Sequence, residues 1–272
     1  MAVLRITLAD GVTYELYDNN KKSAETILFF HGFTGSAKSW EPMEPLLSDK
    51  RIIRISLLGH GGTDSPVDSK RYSAHRQAQD LLELIKSLQL HKVCLIGYSM
   101  GGRLALYFSM LYPGRVSRLI LESSSPGLMS LHERKARIAQ DRKLADLLVN
   151  EGLSKFVDYW GNIPLFDSQK RLPIRVRNQQ QTERLNNNPI GLANSLSGFG
   201  TGAQPSLWGK LHELKIPVLL ITGQLDEKFC RINKKLDKKL ENSCLQIFEH
   251  AGHTVHLECP EAFGKLVNEF VS

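Results

Sequence analysis

The sequence predicts an α/β fold in which a mostly parallel, doubly wound sheet is covered by helices on both faces. Short apolar runs, such as residues 27–30 and 93–96, end in glycine-containing turns, as buried strands do. Between such runs, residues 73–88 place leucine and isoleucine at the spacing of one helix face. Strands that alternate with helices pair in parallel, because each crossover needs roughly a dozen or more residues.

The same two patterns divide the first half of the chain into elements. Residues 1–10 alternate apolar and polar side chains, which predicts a strand. Further strands are predicted where β-branched or large apolar residues cluster, at residues 27–30, 52–56, 93–96 and 119–121. Helices are predicted at residues 73–88 and 102–111.

This alternation of strands and helices breaks between residues 123 and 214, where basic and amide side chains are frequent and no segment is typical of a strand. It resumes with strands at 218–221 and 245–248 and helices at 232–240 and 262–270. We therefore predict that residues 1–122 and 215–272 form one α/β core, and that residues 123–214 form a helical cap inserted between its halves. Such a cap would lie over the carboxyl ends of the strands, where open α/β sheets bind ligands.

The composition excludes several classes of protein. A chain of 272 residues with 42% hydrophobic and 23% charged residues is typical of a globular domain, and not of a disordered or fibrous protein. No apolar run reaches the about 20 residues of a membrane-spanning helix, and the N-terminal segment lacks the apolar core of a signal peptide. The four cysteines are far apart and form no C-x-x-C pair. We expect a cytoplasmic protein that does not bind a membrane.

The net charge of +7 predicts an anionic partner. Nucleic acid fits poorly, because no stretch interleaves aromatic with basic residues. We expect the lysine-rich residues 234–239 to be the solvated face of a helix. The glycine-rich residues 198–202 do not follow a strand, so they do not match a dinucleotide-binding loop. A small polyanionic substrate is the interpretation we retain, and no cofactor is predicted.

The motif that indicates chemistry is G-x-S-x-G at residues 97–101, directly after an apolar strand and directly before a helix. In this context the motif forms a nucleophile elbow, a turn so tight that small residues must flank the serine. The serine hydroxyl is then exposed at the edge of the sheet. We therefore predict that Ser99 is a catalytic residue.

An exposed serine needs a histidine base, and the base needs an acid that orients it. In folds with this elbow the chain order is serine, then aspartate or glutamate, then histidine. Asp226 follows one late strand and His253 follows the next, so we predict a triad of Ser99, Asp226 and His253. Asp226 would also suit the N-cap of a helix that begins near Phe229, and Glu122, at the end of an earlier strand, is a second candidate acid.

A loop after the first central strand, His31-Gly32-Phe33, is placed to complete an oxyanion hole. In this architecture the loop supplies one backbone N–H, and the residue after the serine supplies another. We predict that these donors are the amides of Phe33 and Met100. His31 is predicted to pack beneath the loop and brace it.

Three histidines, His250, His253 and His256, recur at every third position. Structural zinc sites combine such histidines with cysteine or with clustered carboxylates. Neither accompanies them in this loop, so no metal site is predicted.

Together these motifs resemble the α/β-hydrolase superfamily over the whole chain. The matching segments are His31-Gly32-Phe33, Gly59-His60-Gly61, residues 97–102, Asp226 and residues 251–253. One departure is Leu57-Leu58, where the superfamily often has Asp-x-Pro, and it affects a structural turn rather than the triad. The resemblance implies an α/β-hydrolase fold with a helical cap between the two halves of the sheet.

A narrower resemblance includes the elbow and the cap. Residues 97–103, 121–128, 133–142, 160–166, 200–208 and 226–229 are similar to the 2-succinyl-6-hydroxy-2,4-cyclohexadiene-1-carboxylate synthases of menaquinone biosynthesis. This resemblance implies a carbon–oxygen lyase that needs no cofactor and eliminates pyruvate from 2-succinyl-5-enolpyruvyl-6-hydroxy-3-cyclohexene-1-carboxylate, a small tricarboxylate. The triad would then act as a general base.

The resemblance also implies five substrate-binding residues: Tyr98, Arg103, Arg137, Trp160 and Arg184. Arg103 lies four residues after Ser99 and so projects from the same helix face, where a guanidinium suits a carboxylate. The alternatives are a surface salt bridge for Arg103, an exposed ion pair with Asp141 for Arg137, and packing within the cap for Tyr98 and Trp160.

A serine hydrolase of a small anionic substrate, either a carboxylesterase or a carbon–carbon bond hydrolase, is the alternative function, because it would use the same triad. A ligand receptor on a hydrolase scaffold is a third class, and its usual sign is a degraded triad. All three triad residues are present in this chain.

Overall fold

A computed structural model describes residues 1–23 and 25–272 of the chain. Within these residues, eight strands form a single sheet. The strands are β1 (Ala2–Thr7), β2 (Thr13–Asp18), β3 (Thr26–Phe30), β4 (Arg51–Ile55), β5 (Val93–Tyr98), β6 (Val116–Glu122), β7 (Val218–Gly223) and β8 (Ser243–Phe248). The α-helices are α1 (Ala74–Ser87), α2 (Met100–Leu111), α3 (Leu131–Glu151), α4 (Leu153–Gly161), α5 (Ile174–Leu185), α6 (Pro189–Phe199), α7 (Glu227–Asp237), α8 (Val255–Glu258) and α9 (Pro260–Val271).

The strand order across the sheet is β1-β2-β4-β3-β5-β6-β7-β8. Strands β3 to β8 are parallel, whereas β2 is antiparallel to both of its neighbours. The predicted α/β-hydrolase fold with a mostly parallel sheet is therefore confirmed. Every strand predicted from the sequence is present, but β2 was not predicted. Its buried face consists of Tyr14, Leu16 and Asp18. Because this face combines apolar and charged residues, the sequence shows only a weak alternation of apolar and polar side chains.

The central strands are buried on both faces, and every residue of β3 and β7 is buried. For this reason they appear in the sequence as continuous apolar runs. Helices α1 and α2 cover one face, where Leu81 and Leu104 join the larger core. Helix α9 covers the other face with Phe263, which packs with Trp40. Because strands β3 to β8 are parallel, the loops that follow them lie at the same carboxyl edge of the sheet.

Residues 123–214 lie between β6 and β7, which are neighbours in the sheet. This segment contains α3 to α6 and, in the part of the chain that the structure describes, no strand. Helix α3 begins at a capping box in which Ser130 and Glu133 each bond the other's backbone N–H, and Gly152, at a φ of 87°, ends it. The segment has its own small core, which includes Phe156 and Leu192. Its division from the rest as a separate cap stays a prediction.

None of the helices in residues 1–23 and 25–272 is both long enough and apolar enough to span a membrane.

Candidate active site

The elbow that presents Ser99 is a tight reversal from β5 into α2. Ser99 has a φ of 49°, in the left-handed region that costs energy for a residue with a side chain. A Cβ at Gly97 would lie 2.5 Å from the Gly102 Cα, and one at Gly101 would clash with the Phe30 carbonyl oxygen. Residues without a side chain are therefore required at both positions, where the strand and the helix pack closely.

The three residues predicted to form a triad meet at the carboxyl edge of the sheet. His253 Nε2 lies 3.1 Å from Ser99 Oγ, and His253 Nδ1 lies 2.6 Å from Asp226 Oδ2. Asp226 Oδ1 accepts a hydrogen bond from the Phe229 N–H at 3.2 Å, so Asp226 also caps α7. Asp226 therefore caps α7 and pairs with His253 at the same time, because each contact uses a different carboxylate oxygen.

The second candidate acid, Glu122, pairs with a different histidine. Its Oε2 lies 2.7 Å from His256 Nδ1, and its Oε1 accepts the His256 backbone N–H at 3.0 Å. His256 stacks on Trp40 with ring centroids 4.2 Å apart. No cluster of three or more possible metal ligands occurs among the described residues, and His250, His253 and His256 have separate environments.

The loop after β3 lies beside the elbow. His31 Nε2 accepts the Leu57 N–H at 2.9 Å, and its Nδ1 lies 2.7 Å from the Gly32 carbonyl oxygen. The His31 carbonyl in turn accepts the Gly101 N–H at 3.0 Å. His31 is therefore the predicted brace, and it ties the loop to the elbow. Burial, together with nearby His60, keeps the pKa of His31 well below its ordinary value, so the ring is neutral.

A cavity of about 500 Å³ opens above Ser99 and His253. Aromatic side chains form much of its wall: Phe33, Tyr98, Trp160, Phe166, Phe199, Trp208 and Phe229. Five cationic side chains also line it: Arg103, Arg137, Lys228, Arg231 and Lys235. The only carboxylate among the described lining residues is Glu133. The cavity therefore has a largely apolar lining and a net positive charge, which would suit an apolar ring with carboxylate substituents.

Arg103 is buried, with 9% of its surface exposed. Its Nη1 donates to the Phe199 carbonyl at 2.8 Å and to Gln204 Oε1 at 2.9 Å, and its guanidinium lies over the Phe199 ring. Burial lowers the pKa of Arg103 to about 9, and the charge of Arg137 contributes. Arg103 has no ion pair within the described residues, so the alternative of a surface salt bridge is wrong.

The other predicted substrate-binding residues lie in different positions. Arg137 lines the cavity, but its Nε also donates to Asp141 Oδ1 at 2.7 Å, so the predicted ion pair is present. Trp160 lines the cavity, and its buried Nε1–H has no acceptor among the described residues. Tyr98 lines it too, and its hydroxyl lies 2.9 Å from Thr254 Oγ1.

Arg184 is not brought together with the other two arginines. Its guanidinium lies over the Phe166 ring, 5.1 Å from the centroid. It lines a second cavity of about 160 Å³, on the other side of Tyr98 and Phe166 from Ser99. Burial lowers the pKa of Arg184, and the structure gives its guanidinium no ion pair within residues 1–23 and 25–272.

The sequence analysis missed three cations of the main cavity, Lys228, Arg231 and Lys235. Lys235 belongs to the run predicted to be the solvated face of a helix, and it is exposed, with its Nζ 4.8 Å from the centre of the Trp208 ring. Burial and the charge of Arg137 lower the pKa of Lys228. The signal that could have found them is the position of α7, which begins directly after Asp226 and so must pass the site.

Comparisons with known proteins agree with this geometry. A family model for the alpha/beta hydrolase fold matches residues 25–260. The chain is 54% identical over all of its 272 residues to 99% of a Bacillus subtilis (strain 168) protein provisionally named 2-succinyl-6-hydroxy-2,4-cyclohexadiene-1-carboxylate synthase. It is 30% identical, over 90% of its length and 85% of the relative, to the synthase of that name from Photorhabdus laumondii.

Among solved structures, MenH from S. aureus superposes with a TM-score of 0.90 at 33% sequence identity, covering 95% of this chain and 97% of that one. The similarity includes residues 123–214 as well as the sheet, because it extends over nearly the whole of both chains. The chain therefore belongs to the α/β-hydrolase family and, within it, to the family of the 2-succinyl-6-hydroxy-2,4-cyclohexadiene-1-carboxylate synthases.

Proposed function

We propose that this chain is a carbon–oxygen lyase of menaquinone biosynthesis. It eliminates pyruvate from 2-succinyl-5-enolpyruvyl-6-hydroxy-3-cyclohexene-1-carboxylate and gives 2-succinyl-6-hydroxy-2,4-cyclohexadiene-1-carboxylate, the reaction for which its relatives are named. The observation that supports it most directly is the buried Arg103 cation in the wall above Ser99. A neutral ester would gain nothing from this cation, whereas a carboxylate substrate gains a charge-assisted hydrogen bond.

The triad supplies the base in this proposal. His253 takes the Ser99 Oγ proton across 3.1 Å, and Asp226 stabilises the imidazolium that forms. The Ser99 oxygen then removes the ring proton beside the succinyl ketone. The electrons of that C–H bond shift through the ring double bond, and the bond from the ring to the enolpyruvyl oxygen breaks. Enolpyruvate leaves and takes a proton to become pyruvate, and the ring keeps two conjugated double bonds.

Negative charge develops on the ketone oxygen during this step, and we assign its stabilisation to the Phe33 and Met100 amides. Neither N–H donates to another backbone group in the part of the chain that the structure describes. Donors already oriented in a cavity that excludes water are most effective at such a position. Because the Ser99 oxygen takes a proton and attacks no carbonyl carbon, no acyl-enzyme forms.

The substrate carries three carboxylates, and we assign them to the positive wall of the cavity. Arg103 and Arg137 are the proposed carboxylate ligands. Lys228 extends the same wall, and the charge of Arg137 contributes to its lowered pKa. Tyr98 and Trp160 are proposed to contact the ring. Arg184 stays a proposed ligand, although its position in the neighbouring cavity favours the other arginines for direct contact.

The small-molecule substrate accords with a cytoplasmic location, which we also propose. The four cysteines are free, as is usual in a reducing compartment.

The decisive experiment compares two reactions in parallel. The enolpyruvyl substrate is prepared enzymatically, and pyruvate release and diene absorbance are followed after addition of the protein, with p-nitrophenyl acetate in a second well. We expect fast, stoichiometric pyruvate and diene, both lost in Ser99→Ala, with little ester hydrolysis. Ester turnover without accelerated pyruvate release would overturn the lyase proposal in favour of a serine hydrolase.

A further inference from the structure

The loop that presents the Phe33 amide is a tight turn with a strained residue. The Gly35 N–H donates to the Gly32 carbonyl at 3.1 Å, which closes a four-residue turn. The third residue of this turn, Thr34, has a φ of 70°. A hydrogen-bonded turn with positive φ at its third position has the form of a type II turn, where glycine or asparagine is preferred. A β-branched threonine in this conformation is a genuine outlier.

Strained backbone persists only where the surrounding structure holds it. Here the side chain of Asn187, which lies just beyond α5, makes one hydrogen bond to the turn and another to a neighbouring loop. Its Nδ2 donates to the Thr34 carbonyl at 2.8 Å, and its Oδ1 accepts the Gly61 N–H at 3.0 Å. Asn187 is buried, with 6% of its surface exposed. The amide therefore joins the strained turn to a second loop of the sheet edge.

Glu183, one helical turn earlier, contacts the residues that follow the turn. Its Oε1 accepts hydrogen bonds from Ser36 Oγ at 2.5 Å and Ser39 Oγ at 2.7 Å. The end of α5 thus contacts the loop at two points, but only Asn187 bonds the strained residue itself. Asn187 lines neither cavity beside the triad.

We propose that Asn187 is a positioning residue for the oxyanion hole. By fixing the Thr34 carbonyl, it holds Thr34 in the left-handed region and keeps the neighbouring Phe33 N–H directed at the reacting oxygen. A turn released from this bond would relax toward negative φ and turn the donor away. Preorganised donors lose much of their effect when they must reorient during the reaction. This role deepens the proposed function and rests on it for the assignment of the Phe33 amide to the oxyanion hole.

The first test is Asn187→Asp, which keeps the size of the side chain and the acceptor for the Gly61 N–H but faces the Thr34 carbonyl with an oxygen. We expect kcat for pyruvate release to fall by about 10- to 100-fold, up to the effect of losing one oxyanion donor, with KM changed by about twofold or less. The matched control is Asn186→Asp, the same change at the exposed neighbouring residue, which should behave like the wild type. A rise in KM without a fall in kcat would overturn the proposal.

The second test asks whether the effect acts through Thr34. Glycine adopts positive φ without strain, so Thr34→Gly keeps the turn without the bond from Asn187. We expect Asn187→Asp to lower kcat by about threefold or less in a Thr34→Gly background, since little strain is then left to hold. A loss of equal size in both backgrounds would overturn the proposal. Melting temperatures verify folding, and Asn187→Ser replaces any Asn187→Asp protein that is unfolded in the assay.

A third readout separates this inference from the proposed function. A fluorophosphonate labels Ser99 at a rate that depends on the triad and the oxyanion hole, whatever the natural substrate is. The labelling rate should show the same loss in Asn187→Asp and the same rescue by Thr34→Gly. Fast labelling by a wild type that releases no pyruvate would overturn the lyase proposal, and the variants would still decide the role of Asn187.

Discussion

Two buried carboxylate–histidine pairs lie side by side at the carboxyl edge of this sheet. Asp226 and His253 approach to 2.6 Å, and Glu122 and His256 approach to 2.7 Å. Both histidines are 2% exposed. Each carboxylate also accepts a backbone N–H near the start of a helix, from Phe229 in one pair and from His256 itself in the other.

The pairs differ in what lies beyond the imidazole. His253 directs Nε2 at Ser99 Oγ, whereas the His256 ring is stacked on Trp40. The carboxylate–histidine hydrogen bond is therefore a means of fixing a ring, and it is chemically useful only where the second nitrogen meets a reactive group. The Asp226–His253 pair belongs to the proposed catalytic site, whereas the Glu122–His256 pair fixes a ring that packs against Trp40 and Tyr98.

The largest effect should separate the two histidines. We expect His253→Gln to lower kcat for pyruvate release by about 10⁴-fold with little change in stability, because the Ser99 base is lost. His256→Gln should lower kcat less than tenfold but reduce the free energy of unfolding by about 2 kcal/mol, because it leaves Glu122 with a poorer partner in the interior. Steady-state kinetics and thermal melting measure both effects. Equal losses of kcat in the two variants would break the comparison.

The next largest effect is expected for Arg103, the buried cation in the wall of the cavity above Ser99 and His253. Arg103→Gln should lower kcat/KM by about 10- to 100-fold, the worth of a hydrogen bond to a charged group. Arg115→Gln, away from the cavity, is the control in the same assay. An unchanged kcat/KM in Arg103→Gln would remove Arg103 from the proposed carboxylate ligands.

His31 and His60 form a buried pair of a different kind, two histidines with no carboxylate partner among the described residues, and they test the converse case. Burial lowers the pKa of His60 to about 4. Above pH 6.5 His60 is neutral in both states. As pH falls from 6.5 toward 4, the unfolded chain gains a proton that the folded chain excludes, so stability decreases. His60 alone should cost about 2 kcal/mol by pH 5.

Urea unfolding at pH 7.5 and pH 5 measures this loss. His60→Gln should remove that part of the pH dependence, whereas His91→Gln, at an exposed position, should leave it intact. The same decrease in the His60 variant as in the wild type would contradict the assignment.

The smallest effect is predicted for Lys228, on the helix that Asp226 caps. The Lys228 Nζ adds to the positive wall near Arg137. Burial and the charge of Arg137 lower the pKa of Lys228. Lys228→Gln should raise KM by about three- to tenfold with kcat nearly unchanged, because a partly solvated cation contributes little more than about 1 kcal/mol. Lys234→Gln, on the same helix and outside the cavity, is the control in the same assay. An unchanged KM in Lys228→Gln would remove Lys228 from the binding wall.

Much of the fold was predictable because it depends on local signals. The buried parallel strands are continuous apolar runs, and the elbow is a contiguous motif in which Gly97 lies against Gly102, only five residues further along the chain. Strand β2 was missed because its buried face includes the charged residue Asp18. The Asp18 carboxylate pairs with Arg51 on β4, the strand beside β2 in the sheet. That pairing cannot be read from the neighbours of Asp18 in the chain.

The sequence by itself determined the order of Ser99, Asp226 and His253 and their places after strands, since chain order and strand ends are local properties. Only the tertiary structure decided that Glu122 serves His256, that Arg184 lies behind Tyr98, and that Asn187 holds the strained Thr34. Each of these pairings joins residues distant in the chain through side-chain contacts a few ångströms long. Such contacts depend on how helices pack on the sheet, which no spacing along the chain specifies.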